Sequence, residues 1–201
     1  CGWNPARKEE IMNRIKIVNG KIITPYRLLE SGTIIIEDGI ISCVTKEDVT
    51  VQDAVIIDAG GDYISPGFID IHTHGGGGYD FMDATTEAYL GAARTHAMYG
   101  TTSIVPTTLT STNEELRKSF EAFRKSKALN KLGAELVGIH LEGPYFSQEQ
   151  KGAQNPRYIR APLREEYEIS GKLLFIAGVV LFLAGIASLI IYVNEAMPAR
   201  N

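Results

Sequence analysis

The sequence predicts an α/β fold. It consists of the first three βα units of an incomplete (β/α) barrel, preceded by a small β-sandwich-like unit and followed by a C-terminal apolar helix. Three observations carry this. Short β-type runs broken by turn residues fill the chain up to Ile64. Beyond Ser65-Pro66-Gly67, strand-like runs alternate with helix-length amphipathic stretches, the pattern of parallel βαβ units. From Leu173 to Val193 no side chain is charged. The expected divisions are a foreign leader at 1–11, a small β domain at 12–63, a partial barrel at 64–170 and a foreign or membrane-spanning tail at 171–201.

Each element has a local reason. Ile15 to Val18 is a mostly β-branched run closed by Asn19-Gly20, a strong hairpin signal, with Lys21 to Thr24 as the return strand. Thr33 to Glu37 and Ile40 to Val44 flank Asp38-Gly39, and Val55 to Asp58 precedes Gly60-Gly61. Phe68 to His72 reads as a buried strand. Thr85 to Tyr99 reads as a helix closed by Gly100. Thr102 to Pro106 is the next strand. A capping box, Ser111 with Glu114 or Thr112 with Glu115, opens a second helix. That helix puts Leu116, Phe120 and Phe123 on one face and ends near Gly133. Glu135 to Leu141 is the third strand. Gly75 to Gly78 lacks the spacing of a dinucleotide-binding loop and reads as a flexible turn.

The bulk numbers exclude more than they assign. A net charge of −4 with no basic patch gives no reason to expect a nucleic-acid partner. Cys1 and Cys43 have no metal-type spacing and make no disulfide framework, so a reducing cytoplasm is the default compartment. Residues 1–11 are polar and patternless, without the apolar core of a signal peptide, and Met12 reads as the start. As a helix, Leu173 to Val193 would span about 32 Å, near the hydrocarbon thickness of a bilayer. The cations flanking that run weakly place its N-terminal side in the cytoplasm.

The chemistry sits in two motifs. In Asp70-Ile71-His72-Thr73-His74, alternate residues share a side of the strand, so His72 and His74 aim two imidazoles at one point. That point lies at the C-terminal edge of a parallel sheet, where α/β barrels build their sites. Two neutral imidazoles suit zinc or a similar divalent metal. In His140-Leu141-Glu142-Gly143-Pro144-Tyr145, Glu142 brings a carboxylate to the same edge and completes a candidate ligand set. His140 either orients that carboxylate or walls the pocket, with a purely structural role equally good. Asp70 is assigned a supporting or structural role, and His96, within a helix, a structural one.

Here a resemblance becomes specific. Ser65 to Gly75 resembles the first-strand signature of the amidohydrolase superfamily, and Gly138 to Tyr145 is similar to the signature of its N-acetylglucosamine-6-phosphate deacetylases. Gly100-Thr101-Thr102 and Pro106-Thr107 resemble the second strand of that family, over a match from about Met12 to Ser170. The resemblance implies a metal-dependent-hydrolase barrel that removes the acetyl group from N-acetylglucosamine 6-phosphate in amino-sugar catabolism. It implies a divalent metal, zinc first, with iron or another divalent as alternatives. It makes Glu142 a metal ligand, with His72 and His74 holding a second metal or helping to hold one. Lys151 to Pro156 resembles the substrate loop, which places the sugar-phosphate contacts on Ala153 and Gln154. The family usually carries histidine where this chain has Gln154. The parent enzyme is expected to be cytoplasmic and homo-oligomeric.

The same resemblance marks what is missing. A closed barrel takes roughly 250 residues, and three units at about 30 residues each use up 64–170. The family draws further histidines and a catalytic aspartate from later strands, yet no histidine follows His140. The expectation is therefore a truncated chain, inactive alone. Two alternatives stand beside it. One is another amidohydrolase of the dihydroorotase or deaminase kind, which Glu142 in its motif disfavours. The other is a non-catalytic fragment tethered to a membrane through 173–193.

Overall fold

The computed structural model describes residues 14–161 and two short strands at 175–177 and 189–192. The leader expected at 1–11, the start at Met12 and most of the tail lie outside the described residues. Two compact units divide between Pro66 and Gly67.

The first unit is one mixed sheet, not two stacked ones. Its strands are β1 (Arg14–Ile23), β2 (Leu28–Glu37), β3 (Ile40–Thr45), β4 (Val55–Asp58) and β5 (Tyr63–Ile64). They run in the order β3-β2-β1-β4, with β5 also on β1. β1 pairs antiparallel with β2 and parallel with β4. Asn19-Gly20 does not turn the chain. Asn19 takes φ +56° and β1 continues through it, with register shifts against β2 on either side of Gly20. A Cβ on Gly20 would fall 2.3 Å from Ile64, so this position packs and does not reverse. The expected hairpin is thus a bulge, and the turn comes at Thr24–Arg27, where the Thr24 amide donates to the Arg27 carbonyl. Asp38-Gly39 does turn, both residues at positive φ, as a two-residue hairpin loop requires. Ile22, Leu29 and Ile34 form the core of this sheet. Cys43 is buried in this unit.

The second unit alternates strand and helix. β6 (Phe68–Thr73) leads into a two-stranded hairpin, β7 (Gly75–Gly76) with β8 (Tyr79–Asp80). Then come α1 (Thr86–Met98), β9 (Thr101–Pro106), α2 (Asn113–Leu129), β10 (Glu135–Leu136) and β11 (Ile139–Leu141). β6, β9 and β10 form a parallel sheet in that order, and a parallel bridge between Thr107 and His140 ties β11's strand to the end of β9. The β6–β9 register puts Phe68 opposite Thr101, Ile69 opposite Ser103, Asp70 opposite Ile104 and Thr73 opposite Pro106.

Thr85 caps α1 by accepting the Ala88 amide. The helix buries Ala88, Tyr89, Ala92 and Ala93, one stripe at helical spacing. The small Ala93 lets Gly133 approach so closely that a Cβ there would lie 2.7 Å away. Of the two capping boxes open in the sequence, Thr112 with Glu115 is the one formed. α2 buries Leu116 and Phe123 and ends at Leu129, four residues before Gly133. The third strand is split into β10 and β11.

The apolar tail departs from expectation. Phe175–Ala177 (β12) and Leu189–Tyr192 (β13) are strands, with β13 antiparallel to both β11 and β12. A continuous helix over 173–193 is therefore excluded. Leu189-Ile190-Ile191-Tyr192 is β-branched and aromatic enough to favour a strand once β11 offers an open edge. Among the described residues no helix is long and apolar enough to cross a membrane.

Candidate metal centre

Every group at the candidate site belongs to the second unit. β6 carries His72 to its end and His74 one residue beyond. The Asp70 carboxylate accepts the His72 amide at 3.0 Å, so it serves its own backbone and is no part of the ligand cluster. Buried Thr107, just past β9, grips Thr73 on both sides. The Thr73 amide donates to Thr107 Oγ1 at 3.1 Å, and the Thr107 amide donates to the Thr73 carbonyl at 2.8 Å.

Thr107 also sets the tautomer of His74. A carbonyl oxygen only accepts, so His74 Nδ1, 3.2 Å from the Thr107 carbonyl, carries the proton. In the neutral imidazole that a metal requires, His74 Nε2 is then a bare lone pair, and it stands 3.1 Å from Glu142 Oε2. A metal-binding histidine is held in the same way, with the proton directed away from the ligand face. His72 Nε2 lies 3.3 Å from the same carboxylate oxygen.

β11 delivers Glu142. Its Oε1 accepts Gln154 Nε2 at 3.0 Å, while Oε2 is buried without a hydrogen-bond donor. The closeness of Oε2 to two imidazoles and its lack of a hydrogen bond have one explanation. With His74 neutral, the contact there is acceptor against acceptor, with no proton between. One ligand atom each from His72, His74 and Glu142 lies within 4.8 Å of the others, which is the spacing of a ligand set. Converging lone pairs with no shared hydrogen are satisfied by a cation, so these residues fit a divalent metal.

His140 is buried beside the cluster, its ring edge-on to that of His72 at 4.6 Å. Its Nδ1 donates to the Ile71 carbonyl at 3.3 Å, and Nε2 has no partner. Burial, with a smaller contribution from His72, holds its pKa below the ordinary histidine value, against the pull of the Ile71 bond. This is a neutral wall residue with one open nitrogen.

The remaining groups frame the cluster. Gly75 to Gly77 are packed, not loose, and Gly78 alone is open: a Cβ on Gly75 would sit 1.9 Å from the Tyr79 carbonyl oxygen and one on Gly77 2.2 Å from Thr95 Oγ1. His96 Nε2 donates to the Gly75 carbonyl at 3.0 Å, and Thr73 Oγ1 donates to the same oxygen at 3.0 Å. Ala153 is exposed and Gln154 buried, in the loop after β11. Sequence reasoning assigned no role to Thr107, Thr110 or Thr73. The one available signal was the threonine run that follows β9 at the same sheet edge as the histidines.

Comparisons with known proteins identify the family. The Amidohydrolase family profile matches residues 63–188, continuing past Ser170, where the sequence resemblance had been expected to end. N-acetylglucosamine-6-phosphate deacetylase of Bacillus subtilis is 38% identical over 143 residues, covering 69% of this chain and 36% of the relative. The enzyme of the same name from Vibrio furnissii is 38% identical over 132 residues, covering 66% and 33%. The crystal structure of N-acetylglucosamine-6-phosphate deacetylase from Pasteurella multocida superposes with a TM-score of 0.71 at 29% identity, over 78% of this chain and 41% of that one. The chain thus spans about a third of the length of these two relatives. Profile, relatives and shared fold all lead to one assignment, that this chain belongs to the amidohydrolase family.

Proposed function

We propose that this chain supplies the first part of a metal-dependent deacetylase that hydrolyses the acetamide of N-acetylglucosamine 6-phosphate. The observation that carries the proposal is the buried, donor-free Oε2 of Glu142 facing the bare Nε2 of His74. The substrate class rests on the relatives named above.

His72, His74 and Glu142 would hold the cation, with zinc best suited to two imidazoles and a carboxylate and iron the nearest alternative. When bound, a divalent cation supplies Lewis acidity at the acetamide and its attacking water. The protein's own part is to hold three ligand atoms at one point. Thr107 keeps the His74 proton turned away from it. His140 shields one side, and its open Nε2 is available to accept a hydrogen bond from substrate or water. Ala153 and its neighbours would meet the sugar phosphate.

The barrel reading is supported by β6. Its Phe68, Ile69 and Ile71 are 67%, 70% and 60% exposed on an edge of the sheet, where an apolar strand calls for a further neighbour. We propose that the chain as given turns over little substrate. Among the described residues the candidate metal set stops at three groups, and no carboxylate other than Glu142 joins the cluster to take a proton.

The test is to load the full chain with zinc, measure bound metal, and assay free amine released from N-acetylglucosamine 6-phosphate. Stoichiometric metal with little amine is expected. Absence of metal uptake sinks the metal-centre reading. Turnover at an ordinary enzyme rate, on the order of 10 per second, sinks the claim of incompleteness.

A further inference from the structure

Gln154 is 9% exposed, and both ends of its side-chain amide are engaged. A backbone N–H only donates, so the Thr110 amide, 3.0 Å away, fixes the oxygen end as its acceptor. The nitrogen end is thereby turned to Glu142 Oε1, to which it donates at 3.0 Å. The Thr110 end is anchored. The neighbouring Thr108 amide donates to the His140 carbonyl at 3.0 Å, and Thr110 packs so closely on Gly143 that a Cβ there would lie 2.1 Å from Thr110 Oγ1.

The last torsion of a glutamate is soft, with a broad two-fold profile. A carboxylate held by its backbone alone would turn freely about that bond. One donor on Oε1 removes the freedom and decides which oxygen faces the histidines. We propose that Gln154 is a positioning residue for the metal centre. As a bridge from the Thr110 main chain to Glu142 Oε1, it sets the rotation that presents Oε2 to His72 and His74. This inference rests on the metal-centre reading above. It differs from the sugar contact that family resemblance implies for Gln154, because it acts on metal uptake with no sugar present.

The test compares the full wild-type chain with Gln154→Leu and Gln154→His. Leucine removes both halves of the bridge. Histidine keeps them, since a neutral imidazole has one N–H and one bare nitrogen on opposite edges of the ring. Each metal-free protein is first unfolded thermally in chelator to establish that it is folded. Each is then titrated with Co(II), and its visible absorption followed. Partners behind a metal ligand are worth about 10–100-fold in affinity. We expect Gln154→Leu to lose that much with an altered cobalt band, and Gln154→His to stay within about threefold of wild type. A purely structural role would lower the unfolding temperature and leave the affinity of the folded protein unchanged.

Unchanged cobalt affinity and spectrum in Gln154→Leu overturns the inference, as do equal losses in both variants. Should Gln154→Leu not fold, Gln154→His decides alone. Folded with retained uptake supports the bridge, and folded with a loss beyond about tenfold overturns it. A wild-type chain that takes up no cobalt overturns the metal-centre reading itself, a result distinct from all the others.

Discussion

Glu142 Oε2 stands 3.1 Å from His74 Nε2 and 3.3 Å from His72 Nε2, so one carboxylate oxygen serves both imidazoles. Replacing that oxygen by an amide nitrogen puts a donor where a ligand belongs. Glu142→Gln is therefore expected to lose more metal affinity than the roughly 10–100-fold that outer partners cost. Metal content after equilibrium dialysis against zinc checks it. Wild-type zinc content in Glu142→Gln would remove Glu142 from the site.

Metal uptake at this cluster is also expected to stabilise the fold, because the unfolded chain does not hold the three groups together. At a free zinc concentration a hundred times the dissociation constant the gain is about 2.7 kcal/mol. For a chain of this size that raises the melting temperature by roughly 5–10 °C. Thermal unfolding with zinc and then with excess chelator measures the shift. Identical curves would contradict the prediction.

Tyr89 lies at the centre of the second unit's core. Its hydroxyl donates to Ser119 Oγ at 2.7 Å, and Ser119 donates onward to the Phe81 carbonyl at 3.1 Å. Burial, the largest cause, pushes the phenol up to about 12. The native phenol therefore keeps its proton where the unfolded one, near 10, has lost it. Stability present below pH 10 is expected to drain away as pH rises from about 10 to about 12, by up to roughly 3 kcal/mol. Tyr89→Phe should cost about 1 kcal/mol at neutral pH through the lost bond and flatten that alkaline limb. Urea unfolding at a series of pH values reads both effects.

The glycine hairpin offers a matched pair. Gly77 and Gly78 both have positive φ, so alanine at either pays about 1–2 kcal/mol for the left-handed backbone. At Gly78 nothing lies within 4 Å of the new methyl, whereas at Gly77 it would meet Thr95 Oγ1 at 2.2 Å. Gly77→Ala is expected to unfold at lower temperature than Gly78→Ala, by a further 1–3 kcal/mol or so from overpacking. Equal melting temperatures would show that Thr95 yields at no cost.

The convergence of His72, His74 and Glu142 was legible in the sequence because its signal is short-range. His72 and His74 are fixed by strand alternation, and Glu142 by a motif that ends a strand. The order of strands and helices was legible for the same reason. What escaped notice depends on partners distant in sequence. Asn19-Gly20 has identical turn chemistry whether it reverses the chain or bulges it, and packing against Ile64 decides. The glycines after His74 look loose until Thr95 and His96 close on them. Gln154 reads as a loop residue because Thr110, which fixes its amide, is 44 positions away. The apolar tail had the composition of a helix, but strand pairing with β11 decided its ends.

The pairing of β6 with β9 slips twice, once between Phe68 and Ile69 and again between Asp70 and Thr73. The slips are opposite in sign, so Phe68 and Thr73 each find their partners as though the ladder were regular. The two strands are in phase at both ends and out of phase only between. It follows that a change of length is felt differently inside the two slips than anywhere else along these strands. Loss of one residue between Asp70 and Thr73 would leave Asp70 opposite Ile104 and Thr73 opposite Pro106 in a regular ladder, because β6 holds two residues there against one on β9. The slip after Phe68 is the counterpart on β9, where loss of Thr102 would do the same, so each strand has one residue to spare and each at a fixed place.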